Sequence, residues 1–78
     1  MTNIEEKTIA LVADFLGVEK STVTKETRFK KDLDADSLDM VEMTMIFEKE
    51  FTIAISDEDL KGIVTIGDAI NCISKYVS

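Results

Sequence analysis

Apolar residues recur along most of this chain at the three- and four-residue spacing of an amphipathic helix. The first such stretch begins near Asn3, which forms a capping-box pattern with Glu6, and ends at Gly17, a typical helix stop. The run FTIAI (residues 51–55) alternates briefly like a strand, and we interpret it as an extended connector. No stretch sustains the alternation of a strand, so the pattern predicts an all-α fold.

Three more helix starts are indicated by a capping residue that is followed three residues later by an acid. They are Asp36 with Asp39, for a helix to about Phe51, Ser56 with Asp59, for a short helix, and Thr65 with Asp68, for a helix to about Val77. Residues 18–35 are polar and poorly periodic, which predicts a long loop pinned by Val18, Val23, Phe29 and Leu33. The sequence therefore predicts one domain over residues 1–78: a small acidic four-helix bundle of three longer helices and one short helix, with a long loop between the first two.

The second predicted helix has apolar residues on two opposite sides when its residues are placed at steps of about 100°. The first stripe, an ordinary core face, consists of Met40, Met43, Phe47 and Phe51. The second stripe consists of Leu38, Val41 and Met45, beside the charged Glu42, Glu48 and Lys49. A short apolar stripe rimmed by acids is typical of a reversible docking face. Burial of both faces between helices is the alternative that the spacing leaves open.

Charge is concentrated in the middle of the chain. The net charge is −7, but residues 32–59 hold ten acids and one base, which gives −9 there and +2 elsewhere. This sign disfavours nucleic acid as a partner, because binding phosphates requires positive charge. A basic partner protein or a divalent cation is the natural complement.

The composition excludes several other classes. A single cysteine rules out an internal disulfide, and its apolar surroundings predict that Cys72 is a small buried hydrophobic residue. No run approaches the length of a membrane span, and the N-terminus lacks the pattern of a signal peptide, so we expect no membrane insertion. The chain has no histidine, and its acids supply no matched base with an oxyanion hole, so no catalytic residue is predicted.

The segment KKDLDADSLDMVEM (residues 30–43) surrounds one serine, Ser37, with aspartates. Spacing of Asp32, Asp34 and Asp36 matches the first half of an EF-hand calcium loop. That loop needs glycine at its sixth position and glutamate at its twelfth, where this chain has Ser37 and Met43. The sequence therefore predicts no metal ligands, although an acidic calcium-binding signalling module remains the alternative from another class.

Two further interpretations of Ser37 remain open on the residues alone. If Asp36 is the N-cap, Ser37 is the first helical residue and its hydroxyl faces solvent without a structural role. If Ser37 is itself the cap, its role is purely structural. An exposed, unactivated hydroxyl at a helix start suits modification by another enzyme, and the positive end of the helix dipole favours a phosphodiester there.

The motif DADSLDMVEM (residues 34–43), followed by FEKEF (47–51), resembles the acyl carrier proteins, in particular the free-standing ones of type II fatty acid synthesis. The similarity extends to LGV (16–18) and TIGDAINCI (65–73). It implies that Ser37 is the attachment point of 4′-phosphopantetheine, transferred from coenzyme A by a separate magnesium-dependent phosphopantetheinyl transferase (holo-carrier synthase). The thiol of that arm would hold the growing acyl chain as a thioester. A carrier of a polyketide or other thioester pathway is the alternative.

The same resemblance implies two further sets of residues. The partner-docking surface would consist of Asp36, Leu38, Asp39, Val41, Glu42, Met45 and Glu48. An acyl pocket would be lined or bounded by Met43, Phe47, Phe51, Ile55, Ile63 and Ala69. The expected partners are the transferase, basic-patched enzymes of fatty acid synthesis and acyl chains. We expect the protein to be a monomer in the bacterial cytoplasm or in a plastid-like organelle.

Three departures from the family pattern bear on partner choice: Asp34 in place of glycine, Ser56 in place of proline, and Lys49 within a run of acids.

Overall fold

The computed structural model describes residues 3–77, except for the side chain of Asn3. Its helices are α1 (Asn3–Leu16), α2 (Ser37–Phe51), the short α3 (Asp57–Lys61) and α4 (Ile66–Val77). Within residues 3–77 there is no strand, only an isolated bridge between Arg28 and Thr65. The all-α prediction of three longer helices and one short helix is therefore confirmed.

The predicted helix ends agree with the structure where they lie in its described part. Gly17 follows α1 with φ of 69°, a left-handed conformation that glycine adopts without steric cost. The capping box predicted for Asn3 with Glu6 depends on a side chain outside the described residues. None of the helices in residues 3–77 is long and apolar enough to cross a membrane.

Helices α1, α2 and α4 supply most of the core, and the loop and the segments on either side of α3 add further buried side chains. The most deeply buried large apolar residues are Val12, Phe29, Met43, Phe47, Ile66 and Ile73. The predicted core stripe of α2 is confirmed, since Met40 is also buried and Phe51 packs half-buried against the same cluster. Cys72 is buried as predicted, and burial raises the pKa of its thiol.

The loop between α1 and α2 is more ordered than the sequence predicts. It contains a short 3-10 turn, Lys20–Thr22, and it is pinned by buried Val23 and Phe29, with Val18 and Leu33 half-buried as predicted. Backbone hydrogen bonds also join it to the start of α4. The donor and acceptor pairs are Phe29 N to Val64 O (3.0 Å), Ile66 N to Thr27 O (2.9 Å) and Gly67 N to Lys25 O (2.9 Å).

Gly67 permits this docking of the loop. A Cβ atom at that position would lie 3.1 Å from the carbonyl oxygen of Lys25, closer than a side chain normally approaches backbone. The loop and the start of α4 therefore form one unit, and that unit places residues 28–31 beside the start of α2.

Helix α3 is attached more lightly than the other helices. All five of its residues are described and none is buried, although Leu60 packs half-buried against the core. Asp59 accepts hydrogen bonds from Lys75 Nζ (3.1 Å) and from the Tyr76 hydroxyl, and so ties α3 to the end of α4. The segment FTIAI is a connector only in part: Phe51 is the last residue of α2, Thr52 ends that helix in a left-handed conformation with φ of 56°, and residues 53–55 join α2 to α3 without helix or strand.

Candidate functional site

Ser37 is exposed and is the first residue of α2. The preceding residue, Asp36, caps the helix: its Oδ1 accepts the backbone N–H of Asp39 at 2.8 Å, and Asp39 Oδ2 accepts the N–H of Asp36 at 3.2 Å. This reciprocal pair is a capping box, as the sequence predicts. Of the two interpretations left open by the sequence, the one in which Ser37 is the cap is therefore wrong. The hydroxyl of Ser37 has no structural role in starting the helix.

The Ser37 hydroxyl is not activated by a base. The one hydrogen bond that it makes within residues 3–77 comes from Lys30, whose Nζ lies 3.5 Å from Ser37 Oγ. A charged ammonium donates hydrogen bonds and cannot accept the proton that a serine nucleophile must lose. This hydroxyl is consequently suited to being modified by another protein.

The aspartates near Ser37 are held by the protein itself. Asp32 Oδ2 accepts the backbone N–H of Arg28 at 2.8 Å and its Nε–H at 3.3 Å, and these contacts, the backbone one first, lower the pKa of Asp32. Asp36 is occupied as the helix cap. No group of three or more His, Cys, Asp or Glu side chains in residues 3–77 is placed to hold a metal ion.

Asp34 adopts a left-handed backbone conformation, with φ of 59°. Glycine adopts this conformation freely, and aspartate is one of the few other residues that enter it at moderate cost. The departure from the glycine of the family pattern therefore keeps the turn before Ser37 and adds one exposed carboxylate to it.

The second apolar stripe of α2 faces solvent. Leu38 is 66% exposed, Val41 44% and Met45 54%, so the alternative in which both faces of the helix are buried is wrong. Around this stripe Asp36 and Glu42 are exposed, and Asp39 is half-buried.

Glu48 differs from the other acids that the resemblance assigns to docking. It is half-buried, and its Oε2 accepts the backbone N–H of Ile55 at 2.7 Å. It therefore also fixes the connector that follows α2. Lys49 is exposed, and in residues 3–77 it takes part in no ion pair.

A cleft of about 720 Å³ opens directly beside Ser37. Its apolar lining consists of Phe29, Met40, Val41, Leu60, Ile63 and Val64. Its cationic lining, on the loop and at the end of α3, consists of Arg28, Lys30, Lys31 and Lys61. Helix α2, the loop and α3 all contribute to this cleft, which is why the sequence alone does not predict it.

The predicted acyl-pocket residues lie in two places in the structure. Ile63 lines the cleft beside Ser37. The other five lie in the core or against it: Met43, Phe47, Ile55 and Ala69 are buried, and Phe51 is half-buried. The pocket assignment stays a prediction, and the cleft adds Met40, Leu60 and Val64 as apolar residues that sequence reasoning missed.

Comparisons with known proteins agree with this geometry. Residues 6–73 match the family described as the phosphopantetheine attachment site. A curated acyl carrier protein of Porphyromonas gingivalis is 53% identical over 75 residues, which cover 96% of each chain. This chain belongs to the acyl carrier protein family. The predicted family is thereby confirmed.

Two solved acyl carrier proteins have the same fold. The structure from Enterococcus faecalis has a TM-score of 0.81 and 33% identity, over 97% of this chain and 99% of that one. The structure from Thermotoga maritima has a TM-score of 0.78 and 32% identity, over 92% of this chain and 84% of that one. The four-helix architecture is therefore that of the acyl carrier proteins.

An acyl carrier protein holds acyl groups as thioesters on a 4′-phosphopantetheine arm and serves fatty acid synthesis, so the predicted function and cofactor are confirmed. The residues present fit such an arm. The Ser37 hydroxyl is exposed, a cleft opens beside it, and an ammonium group lies within 3.5 Å of its oxygen. When bound, the arm supplies the thiol that forms the thioester.

The second departure from the family pattern has a clear structural consequence. Ser56, which replaces the usual proline before α3, accepts the backbone N–H of Asp59 on its Oγ at 3.1 Å. It therefore acts as the N-cap that the sequence predicts. Thr65 plays the same part for α4, since its Oγ1 accepts the N–H of Asp68 at 3.1 Å.

Proposed function

We propose that this acyl carrier protein bears its 4′-phosphopantetheine arm on Ser37, and that a separate phosphopantetheinyl transferase installs it from coenzyme A. The observation that supports this most strongly is that the capping role at the start of α2 belongs to Asp36 and not to Ser37. Asp36 caps the helix, which leaves the exposed Ser37 hydroxyl free of any structural duty. In this proposal the chain has no catalytic step of its own, and its residues present and position the arm.

The exposed stripe of α2 is the proposed docking surface for the transferase and for basic-patched enzymes of fatty acid synthesis. The surface consists of Leu38, Val41 and Met45 with Asp36, Asp39, Glu42 and Glu48. Its acids attract a basic partner over a distance and raise the rate of encounter. Its three apolar side chains supply contacts that favour binding once the partner is seated, and their small number keeps the complex reversible.

The acyl chain is proposed to enter the protein through the cleft beside Ser37. Ile63 lies in the wall of that cleft and is itself buried, so it marks the boundary between the cleft and the core. The other proposed pocket residues, Met43, Phe47, Phe51, Ile55 and Ala69, lie in the core or against it. Methionine side chains repack at low cost, and α2 has two buried ones, Met40 and Met43, where the core would have to part.

The proposal also includes an oligomeric state and a compartment. We place the protein as a monomer in the bacterial cytoplasm, since the curated relative is bacterial. Sedimentation should give a single species near 8.7 kDa. A stable dimer at working concentration would argue against the monomer.

The attachment is tested by the intact mass of the protein after incubation with coenzyme A and a promiscuous phosphopantetheinyl transferase. We expect the wild type to gain the mass of one arm and Ser37→Ala to gain nothing. Ser56→Ala is the matched control, because it removes another exposed serine from a helix start, and it should be loaded like the wild type. Loading of Ser37→Ala would refute the attachment site.

A further inference from the structure

The cleft beside Ser37 is lined by three lysines that form no ion pair within residues 3–77. Arg28 is paired with Asp32 at 3.3 Å. By contrast, Lys30, Lys31 and Lys61 take part in none of the ion pairs formed within residues 3–77. Three unpaired cations around one cleft are notable in a chain with 16 acids and a net charge of −7. Their positive charges line a cleft beside which the proposed arm would bring a negative charge.

Lys30 is the one of these lysines that reaches the proposed attachment atom. Its Nζ lies 3.5 Å from Ser37 Oγ, which is long for a hydrogen bond to a neutral hydroxyl. A phosphodiester formed on that oxygen places a phosphorus atom next to Ser37 Oγ, and its negative charge is shared by the two non-bridging oxygens of that phosphorus. An ammonium group on a flexible lysine stem can reach such an oxygen with a small rotation, at the distance of about 2.8 Å typical of charge-assisted hydrogen bonds.

We propose that Lys30 binds the phosphodiester of the arm on Ser37 and so holds the start of the arm against the cleft. The inference rests on the proposed attachment at Ser37 and assigns Lys30 as a positioning residue for the arm. Lys31 and Lys61 add positive charge to the same cleft without direct contact with the phosphate.

The contact has a mechanical consequence for the carrier. Lys30 belongs to the loop, and Ser37 begins α2, so a bond between Lys30 and the phosphate joins these two elements through the arm. An exposed ion pair of this kind biases the arm toward the cleft by up to about fivefold. A partner that draws the arm outward therefore has only a weak contact to break, and salt weakens it further.

The first test uses ³¹P NMR of loaded protein. Wild type, Lys30→Gln, Lys31→Gln and Lys30→Arg are loaded with coenzyme A and the transferase, and complete loading is verified by intact mass. We expect Lys30→Gln to shift the phosphodiester resonance, Lys30→Arg to restore most of the wild-type position, and Lys31→Gln, which removes the same charge, to leave it nearly unchanged. Added salt should move the wild-type resonance toward that of Lys30→Gln.

The second test needs no variant and compares the lysine ammonium signals of unloaded and loaded wild type. Loading should shift the Lys30 ammonium resonance and slow its hydrogen exchange several-fold, while the Lys31 signal stays the same. The inference is overturned if the Lys30 signal is insensitive to loading, or if Lys30→Gln and Lys31→Gln shift the phosphorus resonance equally. A wild type that gains no mass refutes the proposed attachment instead, so the two failures are distinguishable.

Discussion

Two serines of this chain, Ser37 and Ser56, stand at the starts of helices within acidic surroundings and yet have opposite duties. Ser56 is the N-cap of α3, and its hydroxyl is engaged by the N–H of Asp59. Ser37 lies one position further into its helix, because Asp36 has taken the capping role. A shift of one residue relative to the cap thus decides whether a serine hydroxyl stabilises the fold or stays available for chemistry.

The helices that start at these two serines also differ in how firmly they are anchored to the core. Helix α2 has 15 residues, and its buried side chains are Met40, Met43, Thr44 and Phe47. Helix α3 has five residues and no buried side chain, and it is held by the half-buried Leu60 and by the contacts of Asp59 with Lys75 and Tyr76. Ser37 therefore lies on a firmly anchored helix. Helix α3 contributes Leu60 and Lys61 to the lining of the cleft and is held by fewer contacts.

The largest expected effect tests how differently the two helices are anchored. Phe47→Ala removes a ring that is 1% exposed, so we expect it to lower the free energy of unfolding by about 3–5 kcal/mol. Leu60→Ala on α3 removes a half-buried side chain and should cost about 1 kcal/mol. Urea unfolding measures both. Equal losses would contradict a firmly held α2 beside a lightly held α3.

The next effect concerns partner recognition next to Ser37. The double variant Leu38→Ala with Met45→Ala removes exposed apolar contacts, and we expect kcat/KM of the transferase to fall by about tenfold, which corresponds to about 1.4 kcal/mol. Its free energy of unfolding should change by less than about 0.5 kcal/mol per site. Val77→Ala is the control, an exposed apolar residue at the end of α4. If that control slowed loading as much, α2 would not be the docking surface.

A smaller effect separates the two serines by stability alone. Ser56→Ala removes an N-cap and should lower the free energy of unfolding by about 1 kcal/mol. Ser37→Ala removes an exposed hydroxyl with no capping role and should change it by less than about 0.5 kcal/mol. Denaturant titrations of the two unloaded variants make the comparison. The reverse ranking would show that Ser37 is the structural serine.

The smallest effect is a pH dependence at α3. Hydrogen bonds from Tyr76 and then Lys75 hold the pKa of Asp59 below its ordinary value of 3.8. A carboxyl whose pKa is lowered by folding stabilises the protein above its unfolded pKa, and the stabilisation is lost as the pH falls through the lower folded pKa.

We therefore expect Asp59→Asn to have a lower melting temperature than the wild type at neutral pH, and the difference to shrink below about pH 4. Asp57→Asn removes the same charge from the same helix and serves as the control. A difference between wild type and Asp59→Asn that stays constant into acid would show that the charge of Asp59 does not stabilise the protein.

Much of the fold could be predicted from the sequence because the helix boundaries are set by local contacts. The pairs Asp36 with Asp39, Ser56 with Asp59 and Thr65 with Asp68 each lie three residues apart, so the capping pattern is visible in the chain itself. The two stripes of α2 were equally visible from spacing, and their burial and exposure follow the prediction.

The cleft could not be predicted, because it depends on contacts between distant parts of the chain. The loop is joined to the start of α4 by pairs such as Phe29 with Val64, which no periodicity reveals. That docking brings Lys30 and Lys61 to one cleft. Lys30 and Lys31 are visible in the sequence, but they directly precede the stretch of acids that begins at residue 32, and those acids dominate the charge pattern.

The central claim is that residue 37 carries the arm. The most direct measurement is fragmentation mass spectrometry of the loaded wild-type protein, which locates the added mass along the chain. The account predicts that the mass lies on Ser37 and that fragments containing Ser56 are unmodified. An arm found on Ser56 or on any other hydroxyl would contradict it.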